Sequence, residues 1–204
     1  IKDSTGIRIY IDEGVSNARL QYPQNGNHVL LAYHCVVFEE SDVIINNVLE
    51  DTIFFKLGYS KQMKGLNHAI KYKIKKDVIN YKNIKTAENK ILYLLKKNQI
   101  RIVCLAGFMK ILSRGFIDKF KGKILNIHPS LLPKYKGLNT HQRVINKNEN
   151  YSGCTVHLVS AKLDSGKIIL QKKVKVYKND SSKSLAKRVL KQEHILYSKA
   201  ISKI

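Results

Sequence analysis

Residues 100–106, Ile-Arg-Ile-Val-Cys-Leu-Ala, form a nearly continuous apolar run in the middle of the chain. A short run of this kind predicts a β-strand that is buried on both faces, as in a parallel sheet covered by helices. A helix is predicted just before it, from a cap at Thr86 to about Asn98, and its apolar face comprises Ala87, Ile91, Leu94 and Leu95. A helix followed by a buried strand indicates the α/β class.

Similar patterns of apolar and β-branched residues predict the other elements. Strands are expected at residues 7–11, 28–38, 51–56, 123–127, 154–159 and 168–175. Helices are expected at residues 64–72, 116–120, 141–146 and 182–204, the last with Leu185, Val189, Leu196, Ala200 and Ile204 facing inward. We therefore predict an open, mostly parallel Rossmann-like sheet with helices on both faces, with the last two strands paired as a hairpin. The chain is expected to form a single domain over residues 1–204.

Lysine dominates the charge of the chain, which has a formal net charge of +22. Only six of the 37 basic residues are arginines, and the lysines are spread along the sequence. Proteins that read nucleic acid usually use arginine forks or aromatic platforms beside their basic groups. We therefore expect dispersed surface lysine that attracts anionic substrates, and nucleic acid is not an expected partner. A polyanion-binding face is the alternative.

Other classes of protein are disfavoured by simple counts. No apolar run reaches 18 residues and no signal-peptide pattern is present, so we expect a soluble, cytoplasmic protein with no membrane partner. Cys35, Cys104 and Cys154 are widely spaced among apolar residues, which predicts buried free thiols. No Cys/His cluster has zinc spacing, so no metal is expected. The oligomeric state is left open between monomer and homodimer.

The strand predicted at residues 123–127 runs into Asn126-Ile127-His128-Pro129, which could carry chemistry. Side chains alternate along a strand, so Asn126 and His128 share a face, and Pro129 stops regular pairing after them. Asp164 follows later, in a turn-like segment. An amide can donate to a developing oxyanion, an imidazole can donate or relay protons, and a carboxylate can tune the imidazole. This pattern indicates an acyl-transfer site. The alternatives are a structural histidine and an aspartate that only caps a turn.

Five spaced motifs, in order, closely resemble the phosphoribosylglycinamide formyltransferase family. They comprise residues 105–113, 124–135, 137–141, 153–159 and 163–171, and Gln192-Glu193-His194 with Tyr197 completes the set. The similarity is clear over residues 101–197 and weaker back to residue 64. Residues 61–204 therefore match the folate and catalytic half of the family's domain, whereas residues 1–60, the nucleotide-phosphate half, match poorly.

The resemblance implies a Rossmann-like formyltransferase domain. Its activity would be direct transfer of a formyl group from the co-substrate 10-formyltetrahydrofolate to the amine of 5'-phosphoribosylglycinamide, a step of de novo purine (IMP) biosynthesis. No metal and no covalent enzyme intermediate are implied. Asn126 would hold the formyl oxygen as it gains charge. Protonated His128 would stabilise the oxyanion and act as the acid, and Asp164 would stabilise the charge on His128.

The resemblance also implies the binding residues. The folate would contact Met109, Lys110, Ile111 and Leu112 together with Asn126. The glycinamide substrate would contact Val15, Ser16, Asn17, Pro129 and Glu193, although Glu13 and Val15 stand where the family's phosphate loop has glycines. His157 is expected behind the residues that touch the substrates. Two alternatives stay open: another 10-formyltetrahydrofolate-dependent formyltransferase or hydrolase, and a low-activity relative that binds polyanions.

Overall fold

The computed structural model of the protein describes residues 10–12, 28–33, 42–44, 53–57, 75–79, 81–106, 108, 110–201 and 203–204. The chain divides into two compact units, Ile1–Ile124 and Leu125–Ile204. The predicted turn at residues 12–17, apart from Asp12, and the predicted helix at residues 64–72 lie outside the described residues. The single domain expected over residues 1–204 stays a prediction.

Six described strands belong to the first unit. They are β1 (Tyr10–Asp12), β2 (His28–Tyr33), β3 (Asp42–Ile44), β4 (Ile53–Leu57), β5 (Lys75–Ile79) and β6 (Ile100–Ala106). Four of them form a parallel array in the order β5-β4-β2-β6. The predicted α/β class with a parallel sheet is therefore confirmed. The strand expected at residues 7–11 overlaps β1, but β1 pairs antiparallel with β3 in a separate two-stranded ribbon.

The helix α1 (Ile84–Lys97) packs against β5 and β6. Its cap is Asn83, whose side-chain oxygen accepts a hydrogen bond from the Thr86 backbone nitrogen at 3.0 Å. The cap predicted at Thr86 was therefore wrong, because Asn83 lies earlier and is a stronger N-cap residue than threonine. Of the predicted apolar face, Ala87, Ile91 and Leu95 are buried and Leu94 is half-buried.

The side chain of Glu88, on the same face of α1, is also buried, which the apolar pattern did not predict. It accepts hydrogen bonds from the Ser113 backbone nitrogen at 2.7 Å, from the Ser113 hydroxyl, and from the Tyr81 hydroxyl at 3.2 Å. Ser113 is itself the N-cap of α2 (Arg114–Lys119). A buried carboxylate needs such partners, and here they fix α1 to the start of α2.

The second unit contains the antiparallel part of the fold. Its elements are β7 (Lys123–His128, which enters the unit at Leu125), α3 (Thr140–Asn146), β8 (Tyr151–Leu158), β9 (Ile168–Lys175) and α4 (Ser182–Ile201). The strand β8 pairs antiparallel with both β7 and β9, which confirms the predicted hairpin. The helix α4 packs against β8 and β9 and buries Leu185, Val189, Leu196, Ala200 and Ile201.

The last helix is shorter than predicted. It ends at Ile201, and the Ile204 nitrogen donates to the Ile201 carbonyl at 3.3 Å, a tighter i to i−3 turn. Ile204 is therefore outside the helix and only half-buried. Cys104 and Cys154 are buried and form no disulfide, as expected, whereas Cys35 lies outside the described residues. None of the helices in the described residues combines the length and the apolar character that a membrane-spanning helix requires.

Candidate active site

The end of β7 places two of the expected site residues. The strand is apolar, with Leu125 and Ile127 buried, while Asn126 stays half-buried. Asn126 lies opposite His157 of β8, and His128 lies opposite Thr155. Directly opposed residues share a face of an antiparallel pair. Alternation then brings the side chains of Asn126, His128 and His157 to one face.

Asp164 reaches this face from the turn after β8. One carboxylate oxygen, Oδ2, lies 3.4 Å from His128 Nδ1 and accepts a hydrogen bond from the Gly137 backbone nitrogen at 2.9 Å. The other oxygen, Oδ1, lies 3.7 Å from His157 Nε2. The side chains of His128 and Asp164 are 7% and 8% exposed. The structure therefore brings Asn126, His128 and Asp164 into one cluster, in which His128 and Asp164 are buried and Asn126 is half-buried. Their chemical roles stay a proposal.

The backbone around Asp164 is specialised to deliver its side chain. Asp164 has a φ of 45°, in the left-handed region that residues other than glycine rarely adopt. Two residues later, a Cβ on Gly166 would lie 1.7 Å from the Leu158 carbonyl oxygen, so only glycine permits this approach to β8. The hydrogen bond from Lys136 to the Ser165 hydroxyl ties the turn to the loop that follows β7.

His128 has an acceptor at each ring nitrogen. Its Nε2 lies 2.9 Å from the Tyr135 carbonyl oxygen, and its Nδ1 faces Asp164 as described above. A neutral imidazole can donate to only one of these acceptors, whereas an imidazolium can donate to both. The two acceptors therefore fix the orientation of the His128 ring.

The loop at residues 129–135 is held by Thr155, a residue to which the sequence analysis gave no role. The buried Thr155 hydroxyl donates to the Ser130 carbonyl at 2.7 Å, and accepts from the Leu132 nitrogen at 3.1 Å and from Gln171 at 2.9 Å. Gln171 also donates to the Leu132 carbonyl at 2.8 Å. This network fixes the loop whose Tyr135 carbonyl faces His128. The only signal in the sequence was the position of Thr155 and Gln171 inside matched motifs.

Two further histidines lie near His128 and are kept neutral. Burial, assisted by the positive charge of His128, lowers the pKa of His141 to about 4. Burial also lowers the pKa of His157, against the opposing effects of its hydrogen bond to Leu158 and of Asp164. Because neither neighbour is charged, neither competes with His128 for the Asp164 carboxylate.

Glu193 lies on α4, four residues after the buried Val189, and is half-buried. Burial raises the pKa of Glu193 to about 7. Burial raises the pKa of the Cys154 thiol on β8, and the negative charge of Glu193 adds a smaller contribution in the same direction. A carboxylate in such a place is costly unless a partner meets it. Its position is compatible with substrate binding, which stays a proposal.

The other expected binding residues are less informative. Pro129 is half-buried at the end of β7. In the first unit, Leu112 is buried at 6% exposure, whereas Ile111 is 63% exposed and Lys110 is exposed. Met109, Val15, Ser16 and Asn17 lie outside the described residues. Among the described residues, no group of three or more His, Cys, Asp and Glu side chains could hold a metal ion.

Comparison with known proteins extends these observations. The model of the formyl transferase family matches residues 42–201. Phosphoribosylglycinamide formyltransferase of Escherichia coli is 48% identical over 101 residues, which are 50% of this chain and 48% of that protein. The trifunctional purine biosynthetic protein adenosine-3 of Chironomus tentans is 44% identical over 152 residues, which are 73% of this chain and 11% of that protein.

A solved structure is similar over most of its length. The crystal structure of phosphoribosylglycinamide formyltransferase from Brucella melitensis aligns with a TM-score of 0.71 and 32% identity, over 87% of this chain and 95% of that one. By contrast, the chain spans about half the length of the Escherichia coli relative and a small part of the trifunctional one.

Proposed function

Because the chain belongs to the formyl transferase family, we propose that it transfers a formyl group from 10-formyltetrahydrofolate to the amine of 5'-phosphoribosylglycinamide. The names of the similar proteins, phosphoribosylglycinamide formyltransferases, support the choice of substrate. The single observation that carries the proposal is the cluster of half-buried Asn126 with buried His128 and Asp164. It combines an amide that can donate a hydrogen bond, an imidazole that can carry a positive charge, and a carboxylate.

The chemistry makes use of each of these groups. The substrate amine attacks the formyl carbon, and the formyl oxygen gains negative charge. Asn126 donates an amide N–H to this oxygen, and the charge on His128 stabilises it further. Because both groups are held in place before reaction, they need little reorganisation as the charge develops. The intermediate then collapses, the bond from the formyl carbon to the folate nitrogen breaks, and the formyl group remains on the substrate amine.

The reaction also moves protons between the substrates. The attacking amine loses one proton in the reaction and the departing folate nitrogen gains one. His128 supplies a proton from its charged form, and Asp164 stabilises that form across the 3.4 Å contact. His128 would then recover the proton lost by the amine, so that the ring returns to its starting state after each turnover.

We propose substrate contacts only for the residues that the family resemblance implies. For the folate, these are Met109, Lys110, Ile111, Leu112 and Asn126. For the glycinamide substrate, they are Val15, Ser16, Asn17, Pro129 and Glu193. The half-buried carboxylate of Glu193 supports its place in this set, because a ligand with hydroxyl or amine donors would supply the partners that burial otherwise denies it.

The test is a formyl-transfer assay with purified variants. Asn126→Ala removes the donor to the oxyanion, and we expect kcat to fall by about a hundredfold to a thousandfold. His128→Ala should lower kcat at least as much, since it removes both charge and proton. Asn89→Ala, an exposed asparagine on α1, is the matched control and should retain wild-type activity. Variants as active as wild type at Asn126 and His128 would contradict the proposal.

A further inference from the structure

His157 contacts the amide that is proposed to hold the oxyanion. It lies directly opposite Asn126 in the β7–β8 pair, and its Nε2 is 3.4 Å from Asn126 Nδ2. The His157 residue is only 2% exposed. Bulk water therefore competes little for this contact, and what His157 offers at Nε2 decides how the amide is oriented.

The other ring nitrogen of His157 fixes its tautomer. Nδ1 lies 2.8 Å from the Leu158 carbonyl oxygen, which can only accept, so Nδ1 carries the proton. Burial lowers the pKa of His157, while the nearby charges act in both directions: Asp164 raises it, and His128 and Lys136 lower it. The ring is therefore neutral near pH 7, and Nε2 keeps a free lone pair.

A lone pair at Nε2 selects one orientation of the Asn126 amide. The two ends of an asparagine side chain, the NH2 group and the carbonyl oxygen, have almost the same size but opposite hydrogen-bonding character. Nε2 accepts from the NH2 group and repels the carbonyl oxygen. The NH2 nitrogen has a second hydrogen, which remains available to a ligand.

Asp164 favours the charged form of His157, and burial of the ring opposes it. Its Oδ1 lies 3.7 Å from His157 Nε2, while its Oδ2 serves His128. A second proton on His157 would be donated to Oδ1. His157 could then no longer accept from Asn126, and it would compete with His128 for the same carboxylate.

We propose that His157 is a positioning residue: its neutral Nδ1–H tautomer accepts from Asn126 and so fixes the amide with an N–H directed to the formyl oxygen. The inference rests on the proposed formyl transfer and deepens it. His157 itself does not touch the reacting atoms. It acts through Asn126 and, by remaining uncharged, leaves Asp164 to His128.

Two substitutions of His157 test the roles of the two ring nitrogens separately. His157→Asn keeps a donor near the position of Nδ1, for the Leu158 carbonyl, but has nothing at Nε2. His157→Gln places a carbonyl oxygen near the position of Nε2. We expect His157→Asn to lower kcat by about tenfold to hundredfold with little change in KM, and His157→Gln to restore most of the activity. Equal losses in both variants, or a loss confined to KM, would overturn the proposal.

A double-mutant cycle shows whether the effect passes through Asn126. In an Asn126→Ala background the amide is absent, so His157→Asn should lower kcat by less than about twofold further. Losses that simply multiply would mean that His157 acts independently of Asn126, and the proposal would be wrong.

Nitrogen-15 NMR of the wild-type protein tests the contact without turnover. At pH 7 the His157 ring should carry its proton on Nδ1 only, and the Asn126 side-chain NH2 signals should shift in His157→Asn. A proton on Nε2, or unshifted Asn126 signals, would overturn the proposal. If the NMR signals behave as expected but wild-type protein transfers no formyl group, the positioning contact is supported and the proposed function fails instead.

Discussion

Glu193 carries a charge whose cost depends on pH. Burial raises the pKa of Glu193 to about 7, above the ordinary value of a glutamate. The folded protein therefore holds the proton more tightly than the unfolded chain. At low pH the Glu193 carboxyl is protonated in both states, and its burial carries no cost of charge. As pH rises through about 7, the folded protein loses stability, by at most about 1.4 kcal/mol per unit of difference between the folded and unfolded pKa values.

We therefore expect Glu193→Gln to raise the free energy of unfolding at pH 8 and to change it little at pH 4. Urea unfolding at the two pH values measures the difference. Glu149→Gln is the matched control, because Lys134 and Tyr135 lower the pKa of Glu149 by hydrogen bonding. The sign is then opposite, and Glu149→Gln should destabilise the protein at pH 8. Destabilisation by Glu193→Gln at pH 8 would show that the carboxylate has a stabilising partner.

The turn at residues 163–166 depends on the absence of a side chain at Gly166. A Cβ there would meet the Leu158 carbonyl oxygen at 1.7 Å, so the turn or the end of β8 would have to move. Asp164 lies two residues before this contact and is placed to within hydrogen-bond distance of Gly137. A small displacement of the turn therefore separates Asp164 from His128.

Gly166→Ala should lower both stability and kcat. We expect a loss of about 1–3 kcal/mol in the free energy of unfolding, as for other overpacked sites. The fall in kcat should persist under conditions where the variant is fully folded. Gly115→Ala is the control: the added Cβ lies 3.9 Å from the Ser113 hydroxyl, inside α2, and should stabilise by about 0.5–1 kcal/mol with unchanged kcat. A fully active Gly166→Ala protein would show that the position of Asp164 is unimportant.

Local patterns in the sequence were enough to predict much of the architecture. The apolar run at residues 100–106 coincides with β6, and residues 168–175 coincide with β9. The pairing of β1 with β3 was not predictable, because a strand of three residues shows no pattern that selects its partner. The same holds for Glu88, whose burial depends on Ser113, 25 residues away along the chain.

Part of the candidate site was also predictable from local patterns in the sequence. Alternation along a strand was sufficient to place Asn126 and His128 on one face. Asp164 was a candidate from its turn-like segment, and the resemblance implied its role. The contact between Asn126 and His157 could not be predicted, since it depends on the register of β7 against β8. Register is set by the loop between the strands and by side-chain packing, neither of which appears in a local pattern.

The fate of a labelled formyl group distinguishes transfer to the glycinamide substrate from hydrolysis and from no reaction. Protein, 10-formyltetrahydrofolate labelled with carbon-13 in the formyl group, and 5'-phosphoribosylglycinamide are mixed, and the products are followed by NMR. We expect the label to move to the amine of the glycinamide substrate in the wild-type protein, and to move at least about a hundredfold more slowly with Asn126→Ala. Label that appears as free formate, or that stays on the folate in the wild-type reaction, would contradict the proposed function.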